Sequence, residues 1–393
     1  IDAVLPGKLI GDEDSAFFFL RQEYSLDYTL GDVPLGDALN SGGKEIALSA
    51  CDNSLLAFDP RKTCFMDTET TGLAGGAGTV AFLVGIGYFE QNAFVLEQCF
   101  LRDYDDETAM LEYLGEKMSV FDTVVSYNGK SFDLPLLRAR FVQHRLEFPL
   151  DNISHYDLVH AARRVWKKRL NNCALNNIER EVLGLHRQGD VPGYLIPHLW
   201  LRYLDTQDAR PMRSVFYHHE MDILSLVALT GYLAKRLAAD TDDTFHHAED
   251  RLAVIKLYVK NKDYESAVRE ARQFLDTSLI KDELRRECLF LLGQSCKRLQ
   301  RFEDMLAAFA LLHEEFPDDP SAASELAKYK EHQERNYSEA ITICRETLAC
   351  LENKATPVDF AISALRGRLA RLEKKQERLR RKYGGENLSD YEE

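Results

Sequence analysis

The sequence predicts an α/β domain, with a mixed sheet flanked by helices, followed by an all-α domain of helical repeats. Between residues 61 and 126, short β-rich runs surround one segment of helical spacing, and helical patterns then continue to residue 238. After residue 240 the strand signals stop, and three helix–turn–helix patterns follow. A length of 393 residues is enough for two or three domains of ordinary size.

The elements of the α/β domain follow from the period of the apolar residues. Residues 63–66 form a short apolar run, and the β-rich runs 80–89 and 93–101 are separated by a polar turn, as in a hairpin. Residues 106–119 have helical spacing and precede a fourth short strand at 123–126. Further helices are predicted at about residues 131–146, 157–169, 174–184, 194–205 and 215–238.

Three segments after residue 240 share a turn in which an aromatic residue recurs. These residues are Tyr264, Phe302 and Tyr337, so the spacings are 38 and 35 residues. The pattern resembles tetratricopeptide repeats, whose period is close to 34 residues, and an ordinary helical bundle is the alternative. In either case, each helix pair buries its apolar face only when a neighbour stacks on it.

The patterns divide the chain into four segments. We expect an N-terminal extension of strands and loops at residues 1–60 and the α/β domain at residues 61–240. The helical repeats then occupy residues 241–355, and a basic C-terminal helix with a polar tail occupies residues 356–393.

Composition and charge exclude several classes of protein. With 45% hydrophobic and 29% charged residues, the chain is not a disordered protein. No apolar run approaches the roughly 18–20 residues of a membrane span, so no membrane partner is expected. The eight cysteines form no C-x-x-C pair and no zinc-ligand spacing, and no segment resembles a secretory signal, so a cytoplasmic location is expected. A net charge of −15 argues against a protein that coats nucleic acid through its overall charge.

Two carboxylates stand together at the end of the first predicted strand. Asp67 and Glu69 lie in the run DTETTGL, and residues i and i+2 of a strand point to the same face. The pair can therefore converge on one cation. Acidic residues disfavour strand interiors, but D-x-E alone is also compatible with a structural role.

Two further motifs carry acidic residues next to predicted helices. Asp133 ends the run NGKSFD, between a strand and a helix, where a helix-capping role is the alternative. In the run YHHEMD, His218 and Asp222 are four residues apart and lie on one helix face. The apolar residues 223–229 follow, so Asp222 is expected against a core, although a surface pair is the alternative.

The four carboxylates Asp67, Glu69, Asp133 and Asp222 resemble, in order and in local sequence, the DEDD superfamily of ribonuclease H-like 3′→5′ exonucleases. The resemblance covers roughly residues 60–238 and rests on DTETTGLAGGAGT, NGKSFDLPLLRARF, HYDLVHAARRVWKKRL, DVPGYLIP and HHEMDILSL. It is closest to a bacterial branch of ribonuclease H-like proteins with C-terminal tetratricopeptide repeats. The second motif is also similar to the N-G-x-x-F-D segment in proofreading domains of family-B DNA polymerases.

The resemblance implies a two-metal mechanism with two Mg²⁺ or Mn²⁺ ions. Crowded carboxylates repel one another unless divalent cations compensate them, and oxygen-only ligands suit these two metals. Two such ions, about 3.5–4 Å apart, activate the attacking water and stabilise the leaving oxygen. The resemblance implies that Asp67 bridges both ions, that Glu69 and Asp222 hold the first, and that Asp133 supports the second through water.

The same resemblance implies that His218 is the general base or orients the water. An imidazole pKa near 6.5 suits that role at neutral pH. One usual subclass has Tyr where this chain has His218, and the other has His where this chain has Tyr217. The bacterial branch has His at position 218, usually followed by Asn, where this chain has His219. Tyr217 and His219 therefore remain alternatives.

Other residues are implied in nucleic-acid binding. Thr71 and Leu73 lie where related enzymes contact the terminal nucleotide, and Asn128 and Phe132 lie where polymerase proofreading domains hold the substrate strand. Simple core packing is the alternative for Leu73 and Phe132.

Despite the negative net charge, two stretches of the chain are locally basic and could bind nucleic acid. The first, at residues 163–169, consists of Arg163, Arg164, Lys167, Lys168 and Arg169 around Trp166, which could stack a base. The second, at residues 366–382, contains nine basic and two acidic residues. Either stretch could follow a phosphate backbone, and a solvated helix face is the alternative.

We therefore expect hydrolysis of phosphodiesters from the 3′ end of a single strand, releasing nucleoside monophosphates. DNA is preferred because of the polymerase-like second motif, and RNA is the alternative. The competing hypothesis is a scaffold whose repeats bind a protein partner, with nuclease activity secondary. The biological pathway, the partner and the oligomeric state do not follow from the sequence.

Overall fold

The computed structural model describes residues 1–13, 15–72, 78–238, 245–277, 280–353 and 359–383. The chain forms two compact units, Ile1–Phe245 and His246–Glu393. The predicted boundary at residue 240 falls in the segment 239–244, outside the described residues.

A mixed sheet forms the centre of the first unit, and within the described residues it has seven strands in the order β1-β2-β7-β6-β5-β8-β9. In this order, the first five strands, from β1 to β5, are antiparallel to one another. The last two pairs, β5 with β8 and β8 with β9, are parallel. Two short strands, β3 and β4, form a separate hairpin. The strands are β1 (Lys8–Gly11), β2 (Ala16–Ser25), β3 (Thr29–Leu30), β4 (Val33–Pro34), β5 (Thr63–Thr70), β6 (Ala81–Glu90), β7 (Ala93–Phe100), β8 (Thr123–Ser126) and β9 (Ser154–Asp157).

Helices cover both faces of the sheet. On β7, the neighbouring side chains Glu97 and Gln98 point to opposite faces, where they contact Tyr113 of α2 and His219 of α7. Because both faces are covered, β6 is buried along almost its whole length. The helices of this unit are α1 (Gly43–Ala50), α2 (Glu107–Met118), α3 (Asp133–Gln143), α4 (Leu158–Trp166), α5 (Leu175–Ile178), α6 (Ile196–Thr206) and α7 (Met212–Leu237).

The structure differs from the sequence prediction at the N-terminus and at β9. Residues 1–60 were expected to precede the α/β domain, but β1 and β2 extend its sheet, and β2 pairs with β7 from Phe18↔Phe100 to Ser25↔Ala93. The segment also contains α1. The edge strand β9 was not predicted, because its sequence SHYD is short and largely polar.

The described residues of the second unit form helices, as predicted, which follow one another as three pairs and a final single helix. In the three pairs the residue two positions before the recurring aromatic has a left-handed backbone, with φ of 63° at Lys262, 60° at Gln300 and 57° at Arg335. The same backbone turn therefore recurs at three equivalent places. The helices are α8 (Ala248–Lys260), α9 (Tyr264–Leu275), α10 (Asp282–Arg298), α11 (Phe302–Glu315), α12 (Pro320–His332), α13 (Tyr337–Glu352) and α14 (Asp359–Tyr383).

Part of the basic surface of α14 is used within this unit. The buried carboxylate of Glu331, on α12, accepts hydrogen bonds from Arg368, Arg371 and Lys375 at 3.3, 3.1 and 2.5 Å. Burial opposes ionisation of Glu331, but the bonds from Lys375 and Arg371 lower its pKa overall. These three cations stabilise the packing of α14 and are not available as a continuous track for phosphates.

None of the helices in the described part of the chain is both long enough and apolar enough to cross a membrane.

Candidate active site

The site lies where β5 leaves the buried core. Residues 63–66 of β5 are buried, and its polar half begins at Asp67. Asp67 pairs with Gly85 of β6 and Glu69 with Leu83, and a register shift between Glu69 and Thr70 ends the regular ladder. The strand therefore presents two acidic residues at its end, as the sequence pattern predicts.

Helix α7 packs closely over this part of the sheet because β6 has glycine at the contact. A Cβ atom on Gly85 would lie 2.2 Å from Ile223 Cδ1 and 2.4 Å from His219 Cε1, both on α7. A larger residue at position 85 would require the side chains of Ile223 and His219 to move. The G-x-G pattern of β6 was the sequence signal for this close approach.

His219 attaches α7 to β5. Its Nε2–H donates to the Asp67 backbone carbonyl at 3.0 Å, and its Nδ1 accepts from Gln98 Nε2 at 3.0 Å. The ring is fully buried, and this burial lowers the pKa of His219 to about 4. With both ring nitrogens occupied and no access to water, His219 does not fit the role of general base.

His218 and Asp222 lie on the face of α7 that turns toward Glu69. His218 Nε2 is 3.6 Å from Asp222 Oδ2 and 4.0 Å from Glu69 Oε1. One ligand atom from each of these three residues falls within 4.8 Å of the others, so the group could hold a metal ion. Each of the three side chains keeps about one sixth of its surface exposed, so solvent and substrate can reach them.

Tyr217 lies away from this group. It lines a separate cavity of about 280 Å³, together with Leu20, Phe216 and Glu220. His219 Nε2 lies 3.9 Å from Asp67 Oδ2 but its ring is fully buried, so His218 is the sequence candidate for the general base that is both close to the carboxylates and accessible to solvent.

Asp133 is the first residue of α3, and Thr68 ties it to β5. Thr68 Oγ1 donates a hydrogen bond to Asp133 Oδ1. Asp133 is 9% exposed, and its charge acts on both Asp67 and Glu69. The structure thus brings all four predicted carboxylates into one electrostatic cluster.

The cluster holds more negative charge than the protein compensates. Burial, followed by the charges of the neighbouring carboxylates, raises the pKa of Asp67 and of Glu69 well above the usual range. Burial also raises the pKa of Asp133 to about 6, although the bond from Thr68 opposes the rise. A set of oxygen donors with unfavourable mutual repulsion fits divalent cations such as Mg²⁺ or Mn²⁺.

The site also contains a cationic side chain, Arg187, that no sequence pattern indicated. The Arg187 guanidinium forms an ion pair with Asp222, with Glu179 and, at 3.2 Å, with Asp190. The Arg187 side chain is only 8% exposed. Glu179 and Arg187 precede the motif DVPGYLIP, which begins at Asp190. No local spacing links an arginine in such a loop to an aspartate 35 positions later.

Asp157 was also missed, and it shapes the loop that carries Asp133. Its carboxylate accepts from the backbone N–H of Asn128 at 2.7 Å and of Lys130 at 3.1 Å, and it also caps α4. Asn128 has a left-handed backbone with φ of 68°, which an asparagine tolerates. The sequence signal was an aspartate directly before a helical pattern.

The residues predicted near the substrate have different environments. Thr71 Oγ1 accepts from the Val80 N–H at 3.1 Å, so its hydroxyl has a backbone partner within the protein. Leu73 lies in the segment 73–77, outside the described residues. Phe132 is 53% exposed, so the alternative of core packing does not apply to it.

The prediction for Trp166 is wrong. The indole is fully buried and packs 6.1 Å from the ring of Tyr232 on α7, so it offers no face to a base. Helix α4 is strongly amphipathic, and position 166 lies on its buried face.

The basic residues around Trp166 are divided between solvent and the protein. Arg163, Lys167 and Lys168 are exposed, whereas Arg164 donates to the Ser49 carbonyl at 3.0 Å and Arg169 is half-buried. Arg163 also lies near the Tyr127 hydroxyl, where it opposes the rise of the Tyr127 pKa that burial causes. The stretch therefore begins beside the loop of Asn128.

The fold and the carboxylate cluster together define the class of protein. Residues 64–234 match the model of the RNase H superfamily. The chain is 31% identical over 342 residues to a Bacillus subtilis (strain 168) protein named "Uncharacterized protein YprB", and the match covers 86% of this chain and 79% of that protein. The chain belongs to this family. As predicted, its first unit contains the RNase H-like domain, and the described residues of its second unit form an all-helical region. The superfamily indicates a nuclease that hydrolyses phosphodiesters with divalent metal ions.

Proposed function

We propose that the protein is a divalent-metal-dependent 3′→5′ exonuclease that removes nucleoside monophosphates from single-stranded nucleic acid, with DNA preferred over RNA. The observation that carries the proposal is the convergence of Asp67, Glu69 and Asp222 with His218 at the end of β5, with Asp133 alongside. The direction of cleavage and the preference for DNA rest on the motif resemblance.

Asp67, Glu69, Asp133 and Asp222 are the residues that hold the metal ions in this proposal. When bound, two Mg²⁺ or Mn²⁺ ions supply a polarised water and stabilise the leaving oxygen. His218 takes the proton of the attacking water at Nε2, the ring nitrogen that faces Glu69 and Asp222.

Two exposed aromatic rings favour a single strand as the substrate. Phe132 directly precedes Asp133, and Tyr194, which is 74% exposed, directly follows Gly193. A Cβ atom on Gly193 would lie 3.7 Å from His218 Nε2, so the loop of Tyr194 passes the proposed base. Unpaired bases stack on exposed rings, whereas bases inside a duplex have no free face.

The decisive experiment compares DNA and RNA strands of one sequence, labelled at either end, with Mg²⁺ or Mn²⁺. Successive shortening of the 5′-labelled strand, with immediate release of a labelled mononucleotide from the 3′-labelled strand, is the expected result. Internal fragments would show an endonuclease instead. No cleavage of any strand would favour the scaffold hypothesis for the helical repeats.

We expect His218→Ala to lower kcat by about 10²-fold or more, because removal of a general base typically has that effect. The concentration of Mn²⁺ at half-maximal rate should stay unchanged, since a base does not bind the ion. A large rise of that concentration would instead identify His218 as a metal ligand. Tyr217→Ala, one position away and outside the cluster, is the matched control and should retain the wild-type rate.

We expect the double variant Arg163→Gln/Lys167→Gln to bind single strands less tightly and with a weaker salt dependence. Each lost phosphate contact should reduce the slope of log affinity against log salt by about 0.7 on a single strand. The matched control is Lys374→Gln/Arg378→Gln, two exposed cations of the second basic stretch. If only the control changes the slope, the second stretch follows the phosphate backbone and the first does not.

A further inference from the structure

His218 has a hydrogen-bond partner that faces away from the proposed metal ligands. Its Nδ1 lies 2.8 Å from Asp190 Oδ1. An ionised carboxylate only accepts hydrogen bonds, so Nδ1 carries the hydrogen and Nε2 keeps its lone pair in the neutral ring. That lone pair is directed to the side where Glu69 and Asp222 lie.

Asp190 is itself held from its other side. Arg187 Nη1 donates to Asp190 Oδ2 at 3.2 Å and to the His218 backbone carbonyl at 3.3 Å. Arg187 Nε donates to Glu179 Oε2 at 2.9 Å, and Glu179 also accepts from Ser225 on α7. Each oxygen of Asp190 thus has its own donor, so the carboxylate has one preferred orientation.

We propose that Asp190 is a positioning residue that fixes the tautomer and the direction of the His218 ring. The proposal rests on the proposed function, in which the Nε2 lone pair of His218 accepts the proton of the attacking water. In the described part of the chain, Asp190 is the side chain that hydrogen-bonds to Nδ1. Without it the ring can rotate or place its hydrogen on Nε2, and Nε2 is then unable to accept a proton.

The test compares Asp190→Ala, Asp190→Asn and the matched control Glu181→Ala. Glu181 precedes Asp190 in the same connection between α5 and α6. Its ion pair with Arg180 is exposed, so its removal should have little effect on stability. In Asp190→Asn the side-chain oxygen keeps the bond from Arg187, so the amide N–H₂ faces His218 Nδ1 and donates to it, which moves the ring hydrogen to Nε2.

Two readouts are expected to change together. Asp190→Ala and Asp190→Asn should each lower kcat about 10- to 100-fold with little change in KM. Imidazole ¹⁵N spectra of the metal-free protein, with His218 assigned through His218→Gln, should show the Nδ1–H tautomer in wild type and the Nε2–H tautomer in Asp190→Asn. Asp190→Ala should show a mixture or the Nε2–H tautomer, and Glu181→Ala should match wild type in both readouts.

A folded Asp190→Ala variant with the wild-type kcat and an unchanged His218 tautomer would overturn the inference. If Asp190→Ala fails to fold, Asp190→Asn decides, and it overturns the inference if it keeps both the wild-type kcat and the Nδ1–H tautomer of His218. A wild-type protein that cleaves no strand would contradict the proposed function alone, and the tautomer of His218 would still decide whether Asp190 positions the ring.

Discussion

Asp67→Asn is expected to lower the rate of phosphodiester hydrolysis by at least about 10³-fold, because one residue of a catalytic set that acts as a unit is removed. Asp67 is central to the cluster, since the charges of Asp222, Asp133 and Glu69 all act on it. Asparagine preserves the shape of the side chain, and the backbone carbonyl of residue 67 still accepts from His219. Single-turnover cleavage of an end-labelled strand measures the loss.

The same substitution should stabilise the metal-free protein at pH 8. The fold raises the pKa of Asp67, so the folded state binds more protons than the unfolded state, and stability falls as pH rises through that raised pKa. Asparagine does not ionise, so the variant does not lose stability in this way as pH rises. We expect its Tm to be about 2–6 °C above that of wild type at pH 8, with a smaller difference at pH 4. Mn²⁺ should raise the Tm of wild type more than that of the variant.

The matched control for both measurements is Asp27→Asn, the same chemical change at an exposed position of the same unit. It should retain the activity, the Tm and the response to Mn²⁺ of the wild-type protein. If Asp67→Asn also retained full activity, the carboxylate cluster would not be the catalytic centre.

Arg187→Met is expected to destabilise the first unit by about 3–5 kcal/mol at pH 8, the usual effect of removing one partner of a buried ion pair. The substitution leaves Glu179, Asp190 and Asp222 without their shared cation. Burial already raises the pKa of Glu179, and Arg187 is the main group that opposes the rise. In the variant, therefore, these carboxylates bind protons more readily in the folded state.

The pH dependence of this loss has a definite sign. Because the folded variant binds more protons than the folded wild type, its stability deficit should shrink as pH falls from 8 to 5. Urea unfolding at both pH values, followed by tryptophan fluorescence, measures the deficit in the first unit alone, since Trp166 and Trp200 are the two tryptophans of the chain.

Two controls separate charge from volume. Arg187→Lys keeps the charge and should recover part of the stability. Arg138→Met breaks an exposed ion pair with Asp151 and should cost less than about 1 kcal/mol. A deficit of Arg187→Met that is equal at pH 5 and pH 8 would contradict the electrostatic explanation and would indicate lost packing instead.

Much of the fold follows from local patterns, and the exceptions have physical causes. The hairpin of β6 and β7 and the positions of α2, α3 and α7 match their predicted segments to within a few residues. Strands were predicted at the N-terminus, but their place in the sheet was not, because the partner of β2 is β7, about 75 residues later in the chain. Strand β9 pairs at the sheet edge through its backbone, and its side chains carry no strand pattern.

The sequence by itself determined which carboxylates are candidates for the site and which of them share one face of a strand or helix. Alternation along β5 places Asp67 and Glu69 together, and one helical turn places His218 beside Asp222, since both relations depend only on local backbone geometry.

Only the tertiary structure decided the environment of each side chain. It buried Trp166 and His219, placed Tyr217 in another cavity, and brought Arg187 and Asp190 to the carboxylates. Burial and long-range partners depend on which elements pack together, and no spacing within a single element contains that information.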